Sequence, residues 1–212
     1  MIAVLKDIFA NLKYNAPTPQ GPVEYIVVGL GNPGAKYENT RHNAGFVAID
    51  ALAAAHNARI DRLRFKAMTG ECMIGGHRVL LMKPETFMNL SGEAVTQAMA
   101  FYKVAPEKTV ILFDDISLEP GQVRIRRKGS AGTHNGMKNI IALSGSQLFP
   151  RVKIGVGDKP ERWDLADWVL SRFTEDEQKA VEAAAKNTVD AVKLIVEDKT
   201  DEAMNRYNKV IK

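Results

Sequence analysis

Residues 25–53 read YIVVGLGNPGAKYENTRHNAGFVAIDALA, and the way they divide into strand, loop and helix decides the fold. The run from Tyr25 to Leu30 is short, apolar and β-branched, the pattern of a buried strand. Gly29-Leu-Gly31-Asn-Pro-Gly34 follows at once and matches G-x-G-x-x-G. In a dinucleotide site that turn opens straight into a helix whose N-terminus faces a pyrophosphate. Here the next stretch, AKYENTRHN, is polar, and apolar periodicity resumes only at Phe46, with Ile49, Leu52 and Ala53 on the same face. Asp50 then falls inside the helical pattern and not at the end of a second strand. The stretch therefore predicts strand, polar loop and helix, and argues against a nicotinamide or flavin cofactor.

Outward from this unit the alternation continues. Strand-like runs occupy 66–74, 78–83, 109–114, 122–127 and 151–157. Between them, Val95, Met99 and Tyr102 after Ser91 make one helical face, and Met137, Ile140, Ile141 and Leu143 another. A long closing helix near 174–197 carries Val181, Ala184, Ala185, Thr188, Val192 and Ile195. Alternating strands and helices predict an α/β fold: a three-layer single domain with a twisted mixed, mostly parallel, sheet flanked by helices. Sites in such sheets gather where strands end and loops leave. The domain is expected over 23–212. Residues 1–22 read as an N-terminal extension and Pro-rich linker: Ile2, Leu5, Ile8 or Phe9, and Leu12 have helical spacing, but Lys6 and Asp7 interrupt any signal-like apolar core.

Composition narrows the class. The 212 residues are 45% apolar with a single cysteine, Cys72. No stretch approaches the ~18 uninterrupted apolar residues of a membrane span. Disorder, a membrane protein and a disulfide scaffold are thereby disfavoured, and a reducing, cytoplasmic setting is expected. Charge is unevenly placed. Residues 121–160 hold Arg124, Arg126, Arg127, Lys128, Lys138, Arg151, Lys153 and Lys159 against one acid, Asp158, whereas 1–120 carry twelve of each sign. A basic window in a nearly balanced chain suggests a polyanionic partner.

No phosphate-loop, zincin, paired-cysteine or serine-elbow motif occurs to hold a triphosphate, a metal or an acyl-enzyme. What remains is a set of polar residues just beyond regular elements: Asn32, His42, Asn89, Asp114, His134 and Asn135. Imidazole titrates near neutrality and can take a proton from water. A carboxylate such as Asp114 can fix its tautomer and stabilise the imidazolium. Carboxamides donate and accept without titrating, so they can position a peptide, the water and a developing oxyanion. Each residue also has an ordinary reading: Asn32 as a turn residue before Pro33, His42 as a hydrogen-bonded loop residue, Asn89 as part of a helix start, Asp114 as a strand-end acid, and His134 and Asn135 as turn and cap.

Four ordered blocks, Gly29-Leu-Gly-Asn-Pro-Gly34, Thr40-Arg-His-Asn-Ala-Gly45, Lys83-Pro-Glu-Thr-Phe-Met-Asn-Leu-Ser-Gly92 and His134-Asn-Gly136, together resemble bacterial peptidyl-tRNA hydrolase from about Tyr25 to the C-terminus. The resemblance implies a monomeric esterase, free of metal and cofactor, that cleaves the ester joining a nascent peptide to tRNA. It implies His42 as general base, Asp114 as its acid partner and Asn32 as a third catalytic group. Asn89, Asn135 and Met88 would line the substrate cleft, with Phe87 and His134 in the same blocks, and Tyr37 between the first two, as further substrate contacts. tRNA contacts would fall on Arg126, Lys128 and Lys153, and the pattern of the basic strand adds Arg124. In Val123-Arg-Ile-Arg126 the arginines share one face of a strand and the aliphatics the other. Three departures stand out: Phe113-Asp-Asp-Ile-Ser117 replaces the usual H-D-E-L-D, the loop before His134 has fewer glycines, and the first ~20 residues have no counterpart. The rival expectations are a non-catalytic RNA-binding relative and a nucleotide-dependent oxidoreductase.

Overall fold

Tyr25–Gly29 (β1) is buried along its whole length because both sheet faces are covered there. The computed structural model describes residues 19–208, so the expected helical spacing over 1–12 lies outside the described residues. After β1 come helix α1 (Ala44–Ala55), strands β2 (Arg62–Arg64), β3 (Ala67–Ile74) and β4 (His77–Pro84), helix α2 (Ser91–Tyr102), and strands β5 (Thr109–Asp115) and β6 (Val123–Arg126). Helix α3 (Asn135–Ser144), strand β7 (Arg151–Gly155) and helices α4 (Leu165–Leu170), α5 (Glu175–Val196) and α6 (Thr200–Tyr207) complete the described residues.

The seven strands form one sheet in the order β2-β3-β4-β1-β5-β7-β6. Its centre is parallel, β4 on β1, β1 on β5 and β5 on β7, while β2, β3 and β6 add antiparallel rims. The expected three-layer mixed fold is the one observed. On one face α1 and α5 bury Ile49, Leu52, Val181, Val192 and Ile195 against Val27, Leu112 and Ile154. On the other, α2 and α3 bury Val95, Ala98, Met137 and Ile140 against Ile26, Val28 and Ile111. Cys72 is a packed β3 residue, and burial pushes its thiol up to about 12.

Helix α1 lies unusually close to the sheet. A Cβ at Gly45 would meet Leu30 O at 2.5 Å and Leu112 O at 2.4 Å, so only glycine permits this approach and with it the placement of the loop that precedes α1. Three elements were not foreseen. Strand β2 is three residues of Arg-Leu-Arg with exposed or half-exposed side chains, so it carries no apolar alternation. Helix α4 spans six residues, too short for a period to register. Helix α6 follows α5, so the long helix does not close the fold; α6 buries only Thr200 and Ala203. The long helix itself starts with a reciprocal cap in which Thr174 and Glu177 satisfy each other's backbone N–H groups.

Parallel strands point the same way, so the loops after β1, β4, β5 and β7 emerge together at one end of the sheet. Asn32, Met88, Asp114 and the approach to α4 all lie at that end.

Candidate active site

His42 sits in a single 3-10 turn, Arg41–Asn43, directly before α1, and Asp114 is near the end of β5. They are 8% and 4% exposed. His42 Nδ1 lies 2.9 and 3.0 Å from the two carboxylate oxygens of Asp114. Oδ1 of the same carboxylate also meets His134 Nε2 at 3.1 Å.

The hydrogen-bond network fixes both tautomers. His134 caps α3 by accepting the Met137 N–H at Nδ1, so its proton is on Nε2 and is donated to Asp114. An ionised Asp114 only accepts, so His42 donates from Nδ1 and keeps a lone pair on Nε2. Burial alone would raise the Asp114 carboxyl, but the two imidazoles outweigh it and hold it well below the usual carboxylate range. Burial alone would lower His42, and the charge and hydrogen bond of Asp114 overcome that, leaving it above its ordinary value. This is the arrangement of an oriented general base.

His42, Asp114 and His134 also bring one ligand atom each within 4.8 Å of one another, the spacing of a metal site. The donor chemistry does not fit. A metal on His134 Nε2 would move its proton to Nδ1 and break the cap on the Met137 N–H.

The carboxamides are held by equally specific contacts. The Asn43 side chain accepts the Asn32 N–H at 2.8 Å and donates to Asn32 O at 3.0 Å. Asn32 Oδ1 accepts the Met88 N–H at 2.9 Å, which turns its Nδ2 group over to other partners. Met88 and Asn89 belong to a 3-10 turn, Met88–Leu90, pinned by the Ser91 hydroxyl donating to Met88 O. Asn135, exposed, opens α3. Helices α2 and α3 are tied together by Asn139, which accepts the Gly92 N–H at 2.7 Å.

Side chains from these segments line one cleft of about 980 Å³. It brings together Asn32, Tyr37, His42, Phe87, Met88, Asn89, Asp114, His134, Asn135 and Lys153. Tyr37 and Phe87 meet edge to face, with ring centres 6.3 Å apart. The opposite wall, which the sequence did not reveal, is formed by Leu165, Ala166, Val169 and Leu170 of α4. Phe113 is buried against the His134 ring, with ring centres 4.7 Å apart. Ser117 donates its hydroxyl and N–H to Asp115.

Among the basic residues Lys153 lines the cleft, whereas Arg124, Arg126 and Lys128 do not. Arg124 pairs in register with Lys153, and Arg126 with Arg151, so these four side chains share one sheet face. They are not equally free. Arg151 is fully buried and donates to the carbonyls of Gly129, Ser130, Gln147 and Phe149, propping the loop that leads to His134. Arg127 pairs with Asp201 of α6 at 2.7 Å, and Lys153 with Asp115 at 2.7 Å. The counter-acids missing from the 121–160 window thus come from elsewhere in the chain. Arg126 and Lys128 are exposed, and Arg124 is half-buried.

A family model described as peptidyl-tRNA hydrolase matches residues 26–212. A peptidyl-tRNA hydrolase of Agathobacter rectalis is 55% identical over 185 residues, covering 87% of this chain and 100% of that protein. One of Clostridium acetobutylicum is 50% identical over 184 residues, covering 87% of this chain and 97% of its own. The crystal structure of peptidyl-tRNA hydrolase from Acinetobacter baumannii superposes with a TM-score of 0.83 at 34% identity, covering 90% of this chain and 97% of that one.

Proposed function

The chain belongs to the peptidyl-tRNA hydrolase family, and from that premise we propose how its cleft hydrolyses the ester between a peptide and tRNA. The observation that carries the mechanism is the buried His42–Asp114 contact of 2.9 Å at the floor of the cleft. With Nδ1 committed to Asp114, His42 Nε2 takes a proton from a water as the water oxygen bonds to the ester carbonyl carbon. The carbonyl electrons move onto oxygen, and the Asn32 Nδ2 group, left over when Oδ1 accepts the Met88 N–H, donates to that oxyanion. Collapse of the tetrahedral species breaks the bond to the ribose oxygen, which takes the proton back from His42. The products are a peptide with a free carboxylate and a tRNA with its terminal hydroxyl restored. Asp114 remains ionised and stabilises the imidazolium between the two transfers.

Asn89 and Asn135 hold the peptide backbone, and Met88, Tyr37, Phe87 and His134 line the surrounding surface. Arg124, Arg126 and Lys128 engage tRNA phosphates, which position the substrate without reading its sequence, as acceptance of many tRNAs requires. Lys153 joins them only by exchanging Asp115 for phosphate. A water, a base and positioned amides suffice for the chemistry, so no cofactor is invoked. On this reading residues 23–212 are the catalytic unit, and the lone cysteine and the translation substrate favour a cytoplasmic monomer. Among the described residues no helix is long and apolar enough to cross a membrane. The test is release of N-acetylated amino acid from charged tRNA by the purified protein. Turnover supports this mechanism, and tRNA binding without turnover would leave the non-catalytic RNA-binding reading in its place.

A further inference from the structure

Arg41 adjoins the proposed base, yet none of its side-chain hydrogen bonds reaches His42 or Asp114. The residue is 3% exposed, and its guanidinium is the meeting point of four segments. Nη2 donates to both carboxylate oxygens of Glu177 in the first turn of α5, at 2.9 and 3.0 Å. Nη1 donates to Val156 O just beyond β7 at 3.0 Å, and Nε to the Ser171 hydroxyl at the end of α4 at 3.2 Å. Its flat face lies 3.7 Å from the centre of the Trp168 ring, with Phe173 at 5.0 Å. The Arg41 backbone N–H also donates to Ser171 O.

Helix α4 depends on these contacts. It has six residues, and Val169 is its only buried one. A helix of one and a half turns has little stability of its own, so tertiary contacts must place it. Leu165, Ala166, Val169 and Leu170 look into the cleft, whereas Trp168 is not among the cleft-lining residues and turns its ring to Arg41. Trp168 also donates its indole N–H to Gly157 O at 3.0 Å.

We propose that Arg41 is a positioning residue: its guanidinium is the joint that sets the α4 wall of the cleft at a fixed distance from His42, so that one side chain registers the substrate-binding wall against the base. A joint of this kind controls substrate fit and leaves proton transfer to the His42–Asp114 pair. Lysine cannot replace it, since an ammonium neither stacks flat on indole nor reaches a carboxylate, a carbonyl and a hydroxyl from one plane.

The experiment measures kcat and KM for N-acetylated aminoacyl-tRNA in Trp168→Ala, Trp168→Phe and Glu177→Gln, with thermal midpoints recorded in parallel. None of these residues lines the cleft. Trp168→Ala should raise KM by roughly threefold to thirtyfold, the equilibrium worth of a desolvated cation–π contact. The pH dependence of kcat should not move, and Trp168→Phe should restore KM. Glu177→Gln, which keeps the shape and removes the charge, should raise KM in the same direction and covers the case in which Trp168→Ala fails to fold. A purely architectural role would lower the active fraction, and thus apparent kcat, at constant KM; that result, or an unchanged KM in Glu177→Gln, overturns the proposal. His42→Ala in the same assay separates this inference from the reading of the cleft as the substrate site, on which it rests. Turnover in that variant overturns the site, whereas an unchanged KM in Trp168→Ala beside an inactive His42→Ala overturns only the joint.

Discussion

Replacing Asp114 with asparagine probes the geometry that makes His42 a base. The carboxylate receives three close contacts, two from His42 Nδ1 and one from His134 Nε2. A carboxamide cannot satisfy them all. With its oxygen at the Oδ1 position it accepts from both rings, but its NH2 then faces the His42 Nδ1–H at about 3 Å, donor against donor. With the amide turned over, NH2 faces both rings; His134 cannot switch tautomer without losing its cap on Met137, and His42 can satisfy it only by moving its proton to Nε2, the tautomer that cannot act as base. Either way a buried donor goes unmet, which costs about 1–3 kcal/mol of stability. Loss of the carboxylate leaves the imidazolium without its counter-charge, and the turned-over amide also favours the wrong tautomer, so kcat should fall by roughly 10²- to 10⁴-fold. The pH profile supplies a second, independent sign. In the wild type Asp114 holds His42 above its ordinary value, so kcat/KM should rise with pH with a midpoint above about 6.5. In Asp114→Asn only burial remains, and burial disfavours the imidazolium, so the midpoint should move below that value. The assay is release of N-acetylated amino acid from charged tRNA between pH 5 and 9, under about-saturating and sub-saturating substrate. A kcat within a few-fold of wild type, or a midpoint that stays or rises, would refute this reasoning.

Other expectations are structural or electrostatic. Gly45→Ala pushes a methyl group onto the backbones of Leu30 and Leu112 and should destabilise by about 3 kcal/mol or more, read from denaturant unfolding. Arg151→Lys removes the planar fork that serves the loop carbonyls at 129, 130, 147 and 149; the thermal midpoint should fall and hydrogen exchange across 128–133 should quicken, and an unchanged exchange rate there would count against the strut. Binding of peptidyl-tRNA should weaken with salt, and removing Arg126 or Lys128 should each reduce the log–log slope by about one, equally for different tRNAs; a KM flat from low to moderate ionic strength contradicts phosphate docking. Because the His42 value is raised on folding, its contribution to stability is full below about pH 6.5 and is lost as pH rises through the folded value. The thermal midpoint of the wild type should therefore fall over that interval more than that of His42→Ala.

The core of the fold was legible because its period is plain: β1, β4 and β5 are nearly continuous apolar runs, and α5 keeps one apolar stripe over 22 residues. What escaped was short or polar. Strand β2 shows only Arg-Leu-Arg, and α4 has too few residues to display a stripe, although it forms a wall of the cleft. In the site, residues beyond strand ends pointed to a cluster, and the cleft does gather them. Their contacts were another matter. That His134 spends both ring nitrogens inside the protein, or that Asn43 grips the backbone of Asn32, depends on distances between segments that no local pattern encodes. Charge was legible as a total and misleading in detail: Arg151 counts toward the basic window yet is wholly buried, and Lys153 and Arg127 find acids outside it. Arg41 and Asn43 did leave a signal, standing on either side of His42 in Thr40-Arg-His-Asn-Ala-Gly45.

At the centre of all this is one imidazole that makes water a nucleophile. Single-turnover release of N-acetylated amino acid from charged tRNA, with enzyme in excess, compares wild type and His42→Ala with substrate binding already saturated. Above the pH at which folded His42 loses its proton, the variant should bind tRNA as tightly and melt near the same temperature while its rate falls by roughly 10²- to 10⁴-fold. A rate within a few-fold of wild type would mean that some other group activates the water.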